Sequence, residues 1–340
     1  MIALLATLAG AEGFNDIELF AKSKEPWLRT FLELQNGVPS HDTFNRVFSL
    51  IIPEEFSKCF IAWTQALAQK IEGVVAIDGK TLRRSFDSAS KTSALHMVSA
   101  WSSENELVLG QIRTAAKSNE ITAIPQLITM LDLEDSIVTI DAMGCQKEIA
   151  QSILNSGADY VLNLKGNQGN TLESVKYLFR WEEKNNFRGI FYTQYETLDK
   201  DHGRIETRKA YSIDVVGMEE FKEWPGIESV TKIFSTREIV GQETTEEVRY
   251  YLSSLPADAE KIGMAVRSHW GIENSLHWIL DVNFGEDHAR NRKGHSAENM
   301  AILRHMVVNL VKKERSSKTS FRGKLLKASW NNDYLIKLLS

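Results

Sequence analysis

Cysteine is almost absent from this chain: 340 residues carry two, Cys59 and Cys145, with no CxxC spacing. That excludes a disulfide framework and a cysteine zinc site, and it fits a reducing cytosol. No apolar run is long enough to cross a bilayer. The apolar start Met1–Ala11 lacks a basic leader region and is soon followed by Glu12 and Asp16, so a buried first helix is expected rather than a signal peptide. There is no GxxxxGK[ST] stretch, hence no expected nucleotide cofactor, and no HExxH zinc pair. Repeats and low-complexity segments are lacking too. What remains is ordinary for a soluble globular protein, with 43% hydrophobic and 25% charged residues. The length suits one large domain with insertions or two to three smaller ones.

A net positive charge is also missing, since the formal balance is −5. Its distribution is uneven. Residues 285 to 340 hold 12 Lys/Arg against 5 Asp/Glu, a local +7, which leaves the rest of the chain at −12. A basic tail of this kind is either a solvated face or a surface for phosphate backbones.

Periodicity divides the chain. Residues 1–70 read as helical, with Leu4, Leu5 and Leu8 at helical spacing, Ser40 or Asp42 as a cap, and Pro53 opening a helix that carries Phe60 and Trp63. This region suits a small DNA-binding module or a plain helical subdomain. From Val74 the pattern alternates: strands at 74–78, 94–101 and 107–114, a helix over 120–131, a strand at 137–141, a helix over 147–154 and a strand at 159–164. Residues 190 to 253 look mostly β. Asp258 then caps a long helix with Glu273 in its middle. The expected class is α/β, a mixed sheet covered by helices.

Two of the strands end on an acid: Val74-Val75-Ala76-Ile77-Asp78 and Ile137-Val138-Thr139-Ile140-Asp141. A strand-terminal aspartate is often only a turn or helix cap. Two of them in one α/β unit shift the reading, because parallel sheets place sites at their carboxyl ends. With Glu273 they supply enough carboxylate to hold two hard divalent cations about 3.5–4 Å apart, the arrangement that clamps attacking and leaving oxygens in phosphodiester chemistry. A rival set lies on the Glu273 helix, where His269, Glu273 and His277 follow at i, i+4 and i+8, a face suited to a transition metal.

The stretches Ile77-Asp78-Gly79-Lys80-Thr81-Leu82-Arg83-Arg84-Ser85, Asp141-Ala142-Met143-Gly144-Cys145-Gln146, Leu164-Lys165-Gly166-Asn167-Gln168, His202-Gly203-Arg204-Ile205-Glu206-Thr207-Arg208 and His269-Trp270-Gly271-Ile272-Glu273-Asn274 resemble bacterial insertion-sequence DDE transposases, in the H-repeat-associated branch. The resemblance runs in order from about residue 10 to 310. It implies an RNase H-like mixed sheet flanked by helices, with a β-rich insertion before the catalytic helix and a helical N-terminal region. The implied domains are 1–70, helical and expected to be shortened relative to family members; 71–312, catalytic, with the insertion at about 190–253; and a basic tail, 313–340. It also implies Asp78, Asp141 and Glu273 as catalytic acids and ligands of two Mg²⁺ ions, with Mn²⁺ expected to substitute.

The partners implied are element-end and target DNA, with a homo-oligomer assembled on DNA, no membrane, and a cytoplasmic, nucleoid-associated location. The expected activity is cleavage of element ends and their joining to target DNA. The alternatives are a DNA-binding remnant without transposition activity and a metal-dependent nuclease. Lys165, Asn167, Gln168, Arg204 and Arg208 are candidates to hold phosphates, joined by Lys80, Arg83, Arg84, Arg267 and His269 and, on the tail, by Lys312, Lys313 and Arg315. Related transposases often carry Tyr and Arg before the glutamate and Lys after it. Those positions are Val266, His269 and Leu280 here, with Arg267 and His277 as possible substitutes.

Overall fold

A computed structural model describes residues 1–68, 70–85, 94–114, 120–201, 203–239, 241 and 243–339; His202 of the fourth motif lies outside them. The chain divides into two units, one made of Met1–Lys70, Gly79–Ala123 and Ile272–Ser340, the other of Ile71–Asp78 and Ile124–Gly271. No helix among the described residues is long and apolar enough to cross a membrane.

The first unit opens with α1 (Ile2–Leu8), α2 (Phe14–Ser23), α3 (Glu25–Leu28), α4 (His41–Leu50) and α5 (Pro53–Ala68). Helix α1 is the buried helix its apolar sequence requires, with Leu5 and Leu8 fully inaccessible. Ser40 is the cap of α4, its hydroxyl accepting from the Thr43 amide at 3.3 Å. Strands β2 (Leu95–Ser102) and β3 (Leu107–Thr114) form an antiparallel hairpin beside the Gly79–Leu82 end of β1 (Val74–Leu82). Helices α10 (Trp278–Phe284), α11 (Ser296–Lys313), α12 (Phe321–Trp330) and α13 (Asn332–Lys337) complete it.

Helix α11 is buried along most of its length and around its whole circumference, including the polar residues Asn299, Arg304, His305 and Asn309. A helix enclosed on all sides must satisfy such groups internally. Asn309 does so against β3: its Oδ1 accepts from Val108 N at 2.8 Å and its Nδ2 donates to Val108 O at 2.9 Å. His305 packs against the Phe60 ring, and burial, with Lys80 and Arg304 nearby, pushes its pKa down to about 3. The sign follows from linkage. Below about pH 6.5 the unfolded chain binds a proton that the native imidazole refuses, so stability falls with acid. His305→Leu should therefore flatten the decline of unfolding free energy between about pH 6 and pH 4, by up to about 1.4 kcal/mol per unit. Urea titrations across that range check it; an unaltered acid limb would mean that other groups set it.

In the second unit the sheet runs β1-β4-β5-β9-β8-β7-β6, with β4 (Ile137–Ile140), β5 (Asp159–Leu164), β6 (Tyr192–Asp201), β7 (Arg204–Asp214), β8 (Ser229–Ile239) and β9 (Thr245–Ser253). Strands β1, β4 and β5 are parallel; β5–β9, β9–β8, β8–β7 and β7–β6 are antiparallel. The β-rich insertion is thus a four-stranded meander that prolongs the sheet through β9. Its helices are α7 (Lys147–Asn155), α8 (Gly169–Lys184) and α9 (Ala259–Ile272), while α6 (Glu120–Met130) begins in the first unit and ends in this one. The expected mixed α/β architecture, a large mixed sheet flanked by helices, is the one found.

The long helix expected after Asp258 is modified. Asp258 does cap it, accepting from Lys261 N at 2.9 Å. But α9 ends at Ile272, and Glu273–His277 form a π turn before α10.

The basic C-terminal segment is folded rather than trailing. Ser320 and Asn331 cap α12 and α13, and Lys324 Nζ donates to the carbonyls of Val311 and Glu314.

Candidate active site

Strands β1 and β4 pair in parallel, with Val74 opposite Ile137 and Ile77 opposite Ile140. Asp78 and Asp141 directly follow the last paired residues, so the register brings two carboxylates into one row where the β1–β4 pairing stops. Only β4 ends there, whereas β1, expected to end at Asp78, runs on to Leu82. Both β-branched runs are buried along their whole length, as in parallel strands covered on both faces. Both aspartates are half-buried.

Asp141 also fulfils the plainer role of a cap. Its Oδ1 accepts from Met143 N at 3.0 Å and Gly144 N at 3.4 Å, ordering the turn Ala142–Gly144. There is no room for a side chain at Gly144, where a Cβ would lie 2.2 Å from Ile140 Cγ2. Beneath the turn Cys145 is buried and its pKa is pushed up to about 12, an inert thiol. The β5 loop is tied to the same turn. Asn167 Nδ2 donates to Ala142 O at 2.7 Å, and Gln168 Nε2 donates to Cys145 O and Gln146 Oε1, each at 3.0 Å. Those two amides, expected to hold phosphates, support the Asp141 turn; Lys165 beside them is exposed.

His269 hydrogen-bonds Thr139 Oγ1 through Nδ1 at 3.0 Å. Thr139 lies two residues before Asp141 and therefore on the same face of β4. Burial lowers the His269 pKa, against the pull of nearby Asp141, which raises it. The ring is thus a neutral partner on the aspartate face. Sequence reasoning missed the Thr139 contact, for which no spacing signal exists. It also missed Arg249, whose guanidinium lies 5.2 Å from the centre of the Trp270 ring.

Glu273 stands in the first unit at the head of the π turn, a feature found often at functional sites. The uniform α-helical face expected for His269, Glu273 and His277 is interrupted there. Among the described residues no group of three or more His, Cys, Asp or Glu is placed to hold a metal ion. Neither the histidine stripe nor the set Asp78, Asp141 and Glu273 is such a group, and what the sheet register brings side by side is the aspartate pair.

The basic candidates divide by environment. Lys80 is not presented to solvent: its side chain is 11% exposed, paired with Asp281 and with Glu286 at 3.2 Å. Arg83 is exposed and pairs with Asp287 at 3.3 Å; Arg84 is exposed. Lys312 and Arg315 share Glu106, each at 3.2 Å, and Lys313 is exposed. Arg204 and Arg208 lie on the insertion, where Arg267 reaches Asp199 from α9.

Comparison with known proteins decides the family. The model of the transposase DDE domain matches residues 69–310, and a model described as DDE_Tnp_1-associated matches residues 1–64. The chain belongs to the DDE transposase family. Two relatives from Escherichia coli strain K12, YbfL and the H repeat-associated YhhI, are each 40% identical, over 100% of this DDE transposase and 91% of their own length. An uncharacterised protein encoded in the dhlA 3′ region of Xanthobacter autotrophicus is 44% identical over 76% of this chain and 86% of its own. Among solved structures, the piggyBac transposase in a synaptic complex with hairpin DNA aligns over 100% of this chain and 71% of its own. Its TM-score of 0.44 and identity of 12% are too low to bear on the fold.

Proposed function

We propose that this DDE transposase cleaves DNA at the ends of its insertion sequence and joins the freed ends to target DNA. The observation that carries the reading is the aspartate pair, two carboxylates that directly follow the last paired residues of the adjacent parallel strands β1 and β4. The family generally uses divalent metal ions, and an all-oxygen pair at a sheet edge suits a hard cation better than a soft one. Asp78, Asp141 and Glu273 are the residues that would hold Mg²⁺, with Mn²⁺ as a substitute. When bound, the metal supplies the charge that makes a water or a DNA 3′-hydroxyl nucleophilic and stabilises the departing oxygen.

The remaining work falls to the chain. The two backbone amides on Asp141 Oδ1 fix its carboxylate before DNA arrives, which lowers the ordering cost of binding. Asn167 and Gln168 hold that turn to the β5 loop, leaving Lys165 exposed to a phosphate. Neutral His269 offers Asp141 a polar neighbour without cancelling its charge.

The test uses the full-length protein, Mg²⁺ and duplex DNA flanking the gene. Strand breaks at the element ends and joined products are expected, from a homo-oligomer assembled on DNA. Absence of cleavage with both Mg²⁺ and Mn²⁺ sinks the reading.

The basic C-terminal region gives a further expectation. Affinity should fall with salt at a log–log slope of about −0.9 per phosphate neutralised. Lys312, Lys313 and Arg315 bring three positive charges, with Glu106 shared by Lys312 and Arg315. Changing all three to Gln should flatten the slope by up to about two to three units, with preference for the end sequence kept. An unchanged slope would make this region a solvated face.

A further inference from the structure

The meander β6-β7-β8 places two acids and one arginine in a single cross-strand row: Asp199 lies opposite Glu206, and Glu206 opposite Arg237. Like charges directly opposed on a sheet repel, so the row needs cations. Arg208 spans both acids, with Nη1 3.1 Å from Asp199 Oδ2 and Nη2 2.6 Å from Glu206 Oε1. Glu206 further draws in Arg237 at 3.6 Å and Arg204 at 3.7 Å. Asp199 also pairs with Arg267, which reaches over from α9.

Four guanidinium groups thus surround two carboxylates. The asymmetry in exposure indicates which way the cluster acts. The Glu206 side chain is 8% exposed, whereas Arg204, Arg237 and Arg267 are 46%, 49% and 52% exposed. A network serving stability alone has no use for excess cations at its surface, where such pairs contribute little. A buried acid beneath several outward-facing guanidinium forks is a platform for phosphate, since it removes in advance the rotamer freedom that binding otherwise costs. The cluster also stands on the part of the chain that is acidic overall, where unorganised charge repels DNA.

We infer that this face of the insertion is a preorganised phosphate-backbone site for duplex DNA, with Arg237 as an additional contact and Glu206 as the residue that positions its arginines. The inference rests on the transposase reading and deepens it. Chain topology supports the assignment. Arg204, Arg208 and Arg237 come from two adjacent strands and Arg267 from a helix beyond both, so only the folded meander brings them together.

The experiment measures binding of the full-length protein to a duplex oligonucleotide of arbitrary sequence across a salt series, for wild type, Arg237→Gln and Glu206→Gln. Arg237→Gln, at a half-exposed position, should fold normally and reduce the log–log salt slope by about 0.9. Glu206→Gln is the sharper probe because it adds positive charge. If the arginines act only through net charge, it strengthens binding. If Glu206 positions them, binding weakens by roughly 2- to 10-fold despite the added charge. Thermal unfolding monitors the fold, and if Glu206→Gln fails to fold, the slope of Arg237→Gln decides. Wild-type slope in Arg237→Gln, or unchanged or tighter binding by folded Glu206→Gln, overturns the site while leaving the transposase reading intact. A wild-type protein that binds no DNA overturns both.

Discussion

Asp78→Ala and Asp141→Ala should each abolish Mg²⁺-dependent strand cleavage, a loss on the order of 10³-fold or more, while end binding stays within a few fold of wild type. Metal-assisted charge stabilisation contributes several kcal/mol to phosphoryl transfer, and about 4 kcal/mol corresponds to roughly 10³ in rate. The two aspartates directly follow the last paired residues of β1 and β4, Ile77 and Ile140, in a buried part of the sheet, so no neighbouring side chain takes their place without a movement of the strands. Binding survives because removal of a negative charge from a DNA-facing edge lessens repulsion. Asp141→Ala carries an added structural cost of about 1 kcal/mol through loss of its cap on Met143 and Gly144. Asp141→Asn separates the two effects, since it keeps the cap and loses the charge. Glu273→Ala is expected to behave as the aspartate variants do. Cleavage assays with filter binding on the same preparations provide the check; wild-type cleavage by any one variant removes that acid from the mechanism.

Glu286→Ala should destabilise the first unit by about 3–5 kcal/mol, the cost of breaking a buried ion pair by removing one partner. Glu286 is 2% exposed. Its Oε1 lies 3.3 Å from Arg304 Nη1 and its Oε2 3.2 Å from Lys80 Nζ. Lys80 keeps Asp281 as a second partner. Arg304, 1% exposed, keeps the Glu12 carbonyl at 3.0 Å, and its Nε is already without a hydrogen-bond partner. A buried guanidinium left without its carboxylate is the main penalty. Replacing both Glu286 and Arg304 by Leu should therefore cost less than the sum of the single changes, as expected for groups that act as a pair. Denaturant titration of the single and double variants tests this, and a loss under about 1 kcal/mol for Glu286→Ala would show that the site readily rehydrates.

The same network explains a difference between sequence and structure. Lys80 follows Asp78 by two residues and carries a positive charge, so sequence places it beside the DNA. Its true neighbours, Asp281 and Glu286, lie about two hundred positions away, and no local pattern announces them. Asn167 and Gln168 behave alike. Their amides suit phosphate, but the closest acceptors are the carbonyls of Ala142 and Cys145 on the preceding loop. The basic C-terminal segment reads as a tail because charge is a sum over residues. In the fold its capped helices are packed and part of its charge is spent on Glu106.

Although β1 runs past Asp78 to Leu82, most strand and helix positions, the strand that ends before Asp141, the capping roles of Ser40 and Asp258 and the burial of the first helix were determined by sequence alone. Each depends on interactions within a few residues, where side-chain periodicity, chain stiffness and capping chemistry act. The tertiary structure decided that the insertion prolongs the main sheet through β5 and β9, that the helix at Glu273 takes a π turn, and that Glu206 gathers arginines from β7 and β8. Those outcomes depend on partners far apart in the chain. Backbone hydrogen bonds and buried charges must be satisfied wherever the fold brings a complement, and a one-dimensional pattern does not encode which complement that is.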